Sequence, residues 1–125
     1  MNKSLQIIQH KINAIQTGML RFKEKDDQVS LQVKATAGSE YCFECITEED
    51  VRGLRNKQVR LVQKHKDDYI YVTGKVDTVI KNKKTIISIV ILKACWFVRR
   101  CEGATTWLQE QQVYEKNPVS LRMAS

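Results

Sequence analysis

YCFECITEEDVRGLRNKQVRLVQKHKDDYIYVTGKVDT, residues 41–78, is the stretch that decides the predicted fold. Residues 41–46 predict a strand, with Tyr41, Phe43 and Cys45 on one face and Cys42, Glu44 and Ile46 on the other. Valine-rich and tyrosine-rich segments predict further strands over 59–63 and 69–80, joined by the polar turn at 65–68. Gly74 lies inside the longer strand, where glycine favours a bulge or bend of the kind that a closing barrel needs.

Between the first two of these strands, the sequence predicts one short helix that begins at Thr47. The Thr47 hydroxyl can accept a hydrogen bond from a backbone N–H in the first turn of this helix. Glu48, Glu49 and Asp50 would then lie in the first turn, where the helix dipole favours anions.

The segments before this stretch predict a helix over 4–16 and a hairpin. Four apolar residues recur at helical spacing on one face of the helix: Leu5, Ile8, Ile12 and Ile15. Ser4 is the predicted cap of its first turn. Strands are predicted over 19–22 and 29–35, and the second alternates strictly, so that one side is buried and the other wet.

The segments after it predict one more strand and one more helix. Residues 85–98 are apolar at nearly every position near their centre, which indicates burial on both faces. Because two helices of one chain do not cover such a sheet, we expect a homodimer. A C-terminal helix is predicted over 104–114, followed by a flexible tail over 117–125.

Together these elements predict a mainly β protein with flanking helices, in the form of a six-stranded antiparallel split β-barrel. The single domain would span 1–116, with the barrel over 19–98. At 125 residues the chain is long enough to bury a core.

The net charge and the distribution of apolar residues restrict which ligands and which cell compartment we expect for this protein. The formal charge of +7 favours an anionic ligand. The sequence shows neither a signal-peptide core nor an apolar run long enough to span a bilayer, so we expect a cytoplasmic protein without a membrane partner.

The four cysteines, Cys42, Cys45, Cys95 and Cys101, are expected to be free thiols. A four-thiolate zinc site is the alternative, but residues three apart in a strand point to opposite faces, so no metal site is predicted.

A basic β-barrel with aromatic residues on its surface is also the architecture of oligonucleotide-binding folds, which stack bases along a cationic groove. Tyr69 and Tyr71 alternate on one predicted strand face, with Lys64 and Lys66 before them and Lys75 beyond. Nucleic-acid binding is therefore one predicted function, and a cofactor-free interaction module is another.

The order of elements over residues 5–98 resembles the pyridoxamine 5′-phosphate oxidase-like, FMN-binding split-barrel family. The segments that carry this resemblance are CFECIT (42–47), EEDVRGLRNKQVRLV (48–62) and YIYVTGKVDTVI (69–80). The resemblance implies a flavin-dependent oxidoreductase that acts on a small molecule, with FMN bound at a dimer interface.

On this resemblance, Thr47 and Arg52 would contact the FMN phosphate, with Lys57 or Arg60 as further cations. Backbone from Val59 to Leu61 would approach the isoalloxazine edge. The sequence departs from the family at Glu48, Glu49 and Asp50, which fall near the phosphate positions, where carboxylates repel a dianion. No catalytic residue is predicted.

Overall fold

The computed structural model describes residues 2–116. It contains one helix and seven strands: α1 (Lys3–Ile15), β1 (Thr17–Glu24), β2 (Asp27–Ala37), β3 (Cys42–Thr47), β4 (Gln58–His65), β5 (Asp68–Lys81), β6 (Thr85–Glu102) and β7 (Thr105–Glu115). The predicted tail over 117–125 lies outside the described residues.

All strand pairs are antiparallel, in the order β3-β2-β1-β4-β5-β6-β7. A further pairing of β3 with the first half of β6 joins six of the strands into a ring. The prediction of a mainly β, antiparallel, barrel-like fold is therefore confirmed. The seventh strand, β7, pairs with the second half of β6 beside the ring.

Alternation along each strand fills the interior of the ring with apolar side chains. The fully buried apolar positions of the strands are the following: Leu20, Ala35, Phe43, Cys45, Leu61, Ile70, Val72, Ile87, Ile89, Ile91 and Ala94. Gly74 has no side chain because β6 passes too close: a Cβ there would lie 2.6 Å from the Val90 carbonyl oxygen. The pairing of β5 with β6 shifts register between Thr73 and Gly74, as the sequence predicted for a bend at this glycine.

Helix α1 lies over one mouth of the ring and confirms the predicted helix over 4–16. Its apolar face is buried at Leu5, Ile8 and Ile12. The cap differs from the prediction, since the side chain of Asn2 accepts from the Leu5 N–H. Ser4 instead donates to Gln112 of β7 at 3.0 Å.

The short helix predicted from Thr47 is wrong, because residues 48–57 cross the other mouth of the ring without helical structure. Val51 and Leu54 are buried there. Gly53 and Asn56 have φ values of 71° and 67°, which interrupt a right-handed helix. The Thr47 hydroxyl accepts from the Glu49 N–H at 3.2 Å, so it closes a local turn rather than capping a helix.

The C-terminal helix predicted over 104–114 is also wrong, because these residues form strand β7. β6 continues beyond residue 98 to Glu102, and Gly103 with Ala104 makes a two-residue turn. Gly103 has a φ of 58°, the conformation that such hairpins favour at the first loop position. This turn brings residues 105–115 back alongside β6, and the two segments pair as antiparallel strands.

The outward side chains near the start of β6, Ile86 and Val90, are half-buried. Among residues 2–116, β6 packs against β3, β5, β7 and α1. No helix in this part of the chain has the length and apolar character needed to cross a bilayer. The predicted homodimer stays a prediction.

Candidate functional site

The outer surface of β1, β2, β4, β5 and the middle of β6 is a continuous basic surface, which we call the basic face. Its cations are the exposed, outward-pointing residues Arg21, Lys23, Lys34, Arg60, Lys64, Lys75 and Lys93. They face outward because they alternate with the buried residues of the ring, such as Leu20 and Phe22 on β1. Within residues 2–116, none of the seven forms an ion pair.

Strand pairing sets these cations in rows across the sheet. Arg21 of β1 lies directly opposite Arg60 of β4. Arg60 in turn lies opposite Thr73, which is opposite Lys93. Side chains directly opposite each other in antiparallel strands interact, and like charges there are destabilising. The centre of the basic face therefore holds an unrelieved pair of guanidinium groups.

Aromatic side chains border the face on the β5–β6 side. Lys64 lies opposite Tyr69, with its Nζ 5.5 Å from the ring centroid. Tyr71 and Phe97 contact edge to face, with their centroids 5.9 Å apart. The three rings are half-buried, so each leaves part of its surface open to solvent.

Cys95 lies beside Tyr71 on this border. Burial raises the pKa of its thiol. Carboxylates border the face as well: Glu110 and Glu115 lie on β7, opposite Phe97 and Lys93 respectively, and Asp77 is exposed on β5.

Two open grooves follow the basic face. The first, which we call the Arg21 groove, has a volume of about 480 Å³ and contains four cations and no carboxylate. Its lining residues are Arg21, Phe22, Lys23, Gln28, Lys57, Gln58, Val59, Arg60 and Thr73.

The second, the Met19 groove, has a volume of about 890 Å³ and lies where β2 and β3 separate. Met19, Ile46 and Val62 give it an apolar floor. Its rim mixes charges, since Lys34, Lys64 and Lys84 stand with Glu48 and Glu49.

The six residues predicted to bind FMN occupy four different places. Lys57, Val59 and Arg60 line the Arg21 groove. Leu61 points into the interior of the ring and is fully buried. Thr47 is 3% exposed and borders the Met19 groove. The side chain of Arg52 is 85% exposed and points to Asp50, 3.7 Å away.

The acidic residues after Thr47 also have partners of their own. Asp50 forms ion pairs with Lys81 and Arg52. Its hydrogen bond to Lys81 lowers the pKa of the carboxyl. Glu48 lies 3.9 Å from Lys84. Glu48 and Glu49 line the Met19 groove, and none of the three carboxylates lines the Arg21 groove.

The cysteines do not converge. Cys45 points into the ring, Cys101 is exposed, and all four thiols are free. Residues 2–116 contain no group of three or more histidine, cysteine, aspartate or glutamate side chains that could hold a metal ion.

Sequence reasoning identified Lys64, Tyr69, Tyr71 and Lys75, but it missed the pairing of Arg21 with Arg60. Both arginines alternate with buried residues, so their outward direction was readable from the sequence. Their juxtaposition was not, because β1 and β4 are neighbours only through the closure of the ring.

Neither a family model nor a curated protein matches this chain. The resemblance to the FMN-binding split-barrel family therefore stays a prediction that rests on the pattern of the sequence.

Proposed function

We propose that the protein binds single-stranded nucleic acid across the basic face. The observation that supports this proposal is the direct opposition of Arg21 and Arg60 at the centre of the face, where neither arginine forms an ion pair with a carboxylate of the described residues. A phosphate placed between the two guanidinium groups would convert a repulsive pair into two charge-assisted contacts. Arginine suits this role because its planar fork donates two parallel hydrogen bonds to one phosphate.

The extent of the face favours a polymer over a single phosphate group. Its cations lie on five adjacent strands from β2 to β6, and neighbouring strands are about 4.8 Å apart, so the face is about 20 Å wide. Several successive phosphates of an extended strand fit this width.

The aromatic border explains why the strand would be single. Tyr69, Tyr71 and Phe97 offer rings on which unpaired bases stack, and such stacking is tolerant of sequence. The bases of a duplex are already stacked on one another. A cytoplasmic location, in which the four free thiols would stay reduced, belongs to the same proposal.

The test is fluorescence anisotropy of a labelled single-stranded oligonucleotide of about 15 nucleotides, titrated with protein at several salt concentrations. If all seven cations contact phosphates, the slope of log K against log salt concentration is about −5. The double variant Arg21→Gln/Arg60→Gln removes two of these contacts, so the slope becomes shallower by about 1.4.

A matched control is Arg55→Gln/Lys83→Gln, which removes the same charge from two exposed positions outside both grooves. We expect this control to bind with the wild-type slope. The proposal is overturned if the wild-type protein does not bind at low salt, or if both double variants lose the same affinity.

FMN binding is the second candidate, and one observation favours it: Lys57, Val59 and Arg60 line one groove together with Arg21. In this candidate function, Arg21 and Arg60 would hold the phosphate of FMN in the Arg21 groove. Phe22 is 6% exposed and lies 5.6 Å from the Lys57 Nζ, so it would form part of the groove floor rather than stack on the isoalloxazine. The flavin would supply any redox chemistry towards a small-molecule substrate, and the protein its position.

Titration of FMN with the protein, followed by flavin fluorescence and by the melting temperature, tests this candidate. Binding predicts quenching and a higher melting temperature in the wild type and neither in the Arg21→Gln/Arg60→Gln variant. A colourless protein whose melting temperature is unchanged at millimolar FMN contradicts it.

A further inference from the structure

The last four residues of β6 and the first four of β7 form, with their turn, a two-stranded ribbon that extends beyond the ring. It runs from Arg99 to Leu108, and all ten of its residues are exposed. A two-stranded ribbon without a core is only marginally stable in water. The ribbon therefore lacks, within residues 2–116, the packing that stabilises every other strand.

Both faces of the ribbon carry a large apolar side chain. Trp107 is 42% exposed and Leu108 is 44% exposed. Adjacent residues of a strand point to opposite faces, so the two cannot shield each other. Burying both would remove apolar surface from water on each face of the ribbon at once.

The outer edge of β7 is open as well. The closure of the ring gives the other described strands a partner on each side, whereas β7 ends the strand order and pairs with β6 alone. The C-terminal end of β7 does have neighbours: Gln112 accepts a hydrogen bond from Ser4 of α1, and Tyr114 stacks on Tyr41. The segment from Thr105 to Glu110 has no such neighbour among the described residues.

This open segment ends in one charged residue, Glu110, but otherwise carries few of the features by which proteins protect sheet edges. It contains neither proline nor lysine. The β-bulge of β7 lies just after this segment, at Gln111. Glu110 is opposite Phe97 and Gln112 is opposite Trp96, so Gln111 has no residue opposite it on β6. The Gln111 side chain donates to the Gln109 carbonyl at 3.4 Å, a weak contact that an added strand could replace.

We propose that a second copy of this chain pairs with it, β7 against β7, so that the two ribbons form one four-stranded antiparallel sheet. An antiparallel pair related by a two-fold axis uses the same edge of both chains, and β7 offers such an edge. Residues 105–109 carry no charge, so the pairing sets no like charges opposite each other. This interface differs from the outer face of β6, on which the sequence placed the dimer.

The two-fold axis must pass through a pair of identical residues, which restricts the register. Centred on Trp107, the pairing packs the two indoles together and places Glu110 opposite the partner's Ala104. Centred on Leu108, it packs the two leucines and places Glu110 opposite the partner's Thr106. Either register brings two identical apolar side chains into contact in the middle of the sheet and leaves the glutamates opposite neutral residues.

Sedimentation velocity of the full chain between about 1 and 100 μM tests the proposal, because this range covers the weak end of the affinities that protein interfaces show. We expect a concentration-dependent dimer. Leu108→Lys places a charge on the edge and should weaken the dimer tenfold or more. Ile80→Lys is the matched control, because Ile80 is an exposed apolar residue on β5, 57% exposed and outside the ribbon.

The fluorescence of Trp107, observed alone in a Trp96→Phe variant, gives a second readout. Its emission should shift to shorter wavelength as the dimer forms and should not shift in the Leu108→Lys protein. The proposal is overturned if the chain is a monomer at 100 μM. It is equally overturned if Ile80→Lys weakens the dimer as much as Leu108→Lys does, because the interface then lies elsewhere.

Discussion

Replacing Gly74 by alanine tests whether the close approach of β5 and β6 is a requirement of the ring. An added Cβ would contact the Ile89 side chain and would lie 2.6 Å from the Val90 carbonyl oxygen. The second contact cannot be relieved by a rotamer change, because it is with the backbone of β6. Gly74→Ala therefore requires a movement of one strand away from the other.

The expected magnitude follows from two opposing effects. Overpacking of a filled core costs about 1–3 kcal/mol. Loss of glycine's freedom in the unfolded chain returns about 0.4–1 kcal/mol. We expect the free energy of unfolding to fall by about 1–2 kcal/mol, which for a chain of this size lowers the melting temperature by about 4–8 °C.

The measurement is urea unfolding followed by circular dichroism, with melting temperature as a second observable. Gly38→Ala is the control for sterics, because its Cβ would have no neighbour closer than 3.4 Å. Gly53→Ala is the control for backbone conformation, because Gly53 has a φ of 71° with open space around it. If Gly74→Ala is as stable as Gly38→Ala, the inferred packing of β5 on β6 is wrong.

Three further predictions concern residues inside or beside the ring. Lys11→Met should lower the free energy of unfolding by about 1 kcal/mol. The Lys11 Nζ lies 3.4 Å from an Asp68 carboxylate oxygen and 4.4 Å from the centroid of the Trp96 ring, and the substitution removes both contacts. Urea unfolding, with Lys3→Met as the control, checks this. Gln63→Met should leave stability unchanged or raise it by about 1 kcal/mol. The fully buried Gln63 has no protein partner for its Oε1 among the described residues, and the Ile12 carbonyl that accepts from its Nε2 also accepts from the Gln16 N–H. A loss above about 2 kcal/mol would contradict this. Burial raises the pKa of the Cys45 thiol far above its ordinary value, so this thiol loses its proton only in the unfolded state as the pH rises. The free energy of unfolding should therefore fall above about pH 9. Unfolding curves from about pH 7 to 10.5 should show this fall in the wild type and a smaller fall in Cys45→Ala.

The ring was predictable because its strands alternate. Apolar residues at alternate positions, such as Leu31 and Val33, predict the buried face of a strand, and Gly74 predicts the bend in β5. Helix α1 was predictable for the same reason, since Leu5, Ile8 and Ile12 repeat at helical spacing.

The two wrong helices share a physical cause. A short amphipathic segment such as 48–57 has two candidate conformations, and tertiary contacts decide between them. Here Val51 and Leu54 had to fill the mouth of the ring, which a left-handed Gly53 permits. Residues 105–115 became a strand because β6 continued past residue 98, and nothing in the local sequence states how far a strand runs.

The pairing of Arg21 with Arg60 was unpredictable for a related reason. Their separation of 39 positions is bridged only when β1 turns to meet β4, and this neighbour relation belongs to the topology. A candidate site built from cross-strand neighbours needs the strand order first.

The filled interior restricts where any ligand can bind. The residues that point inward from six strands are buried, α1 covers one mouth of the ring, and residues 48–57 cover the other. A flat aromatic cofactor or a nucleic-acid base therefore has no room inside the ring and must contact the outer surface. Both grooves described above open on that surface, and both include residues of β1, β2 and β4. Since the Arg21 groove holds cations without a carboxylate, binding there should follow the charge of the ligand. The same two substitutions, at Arg21 and Arg60, should then weaken a polymer and a flavin alike, and the salt slope separates the two ligands because only a polymer contacts many cations at once.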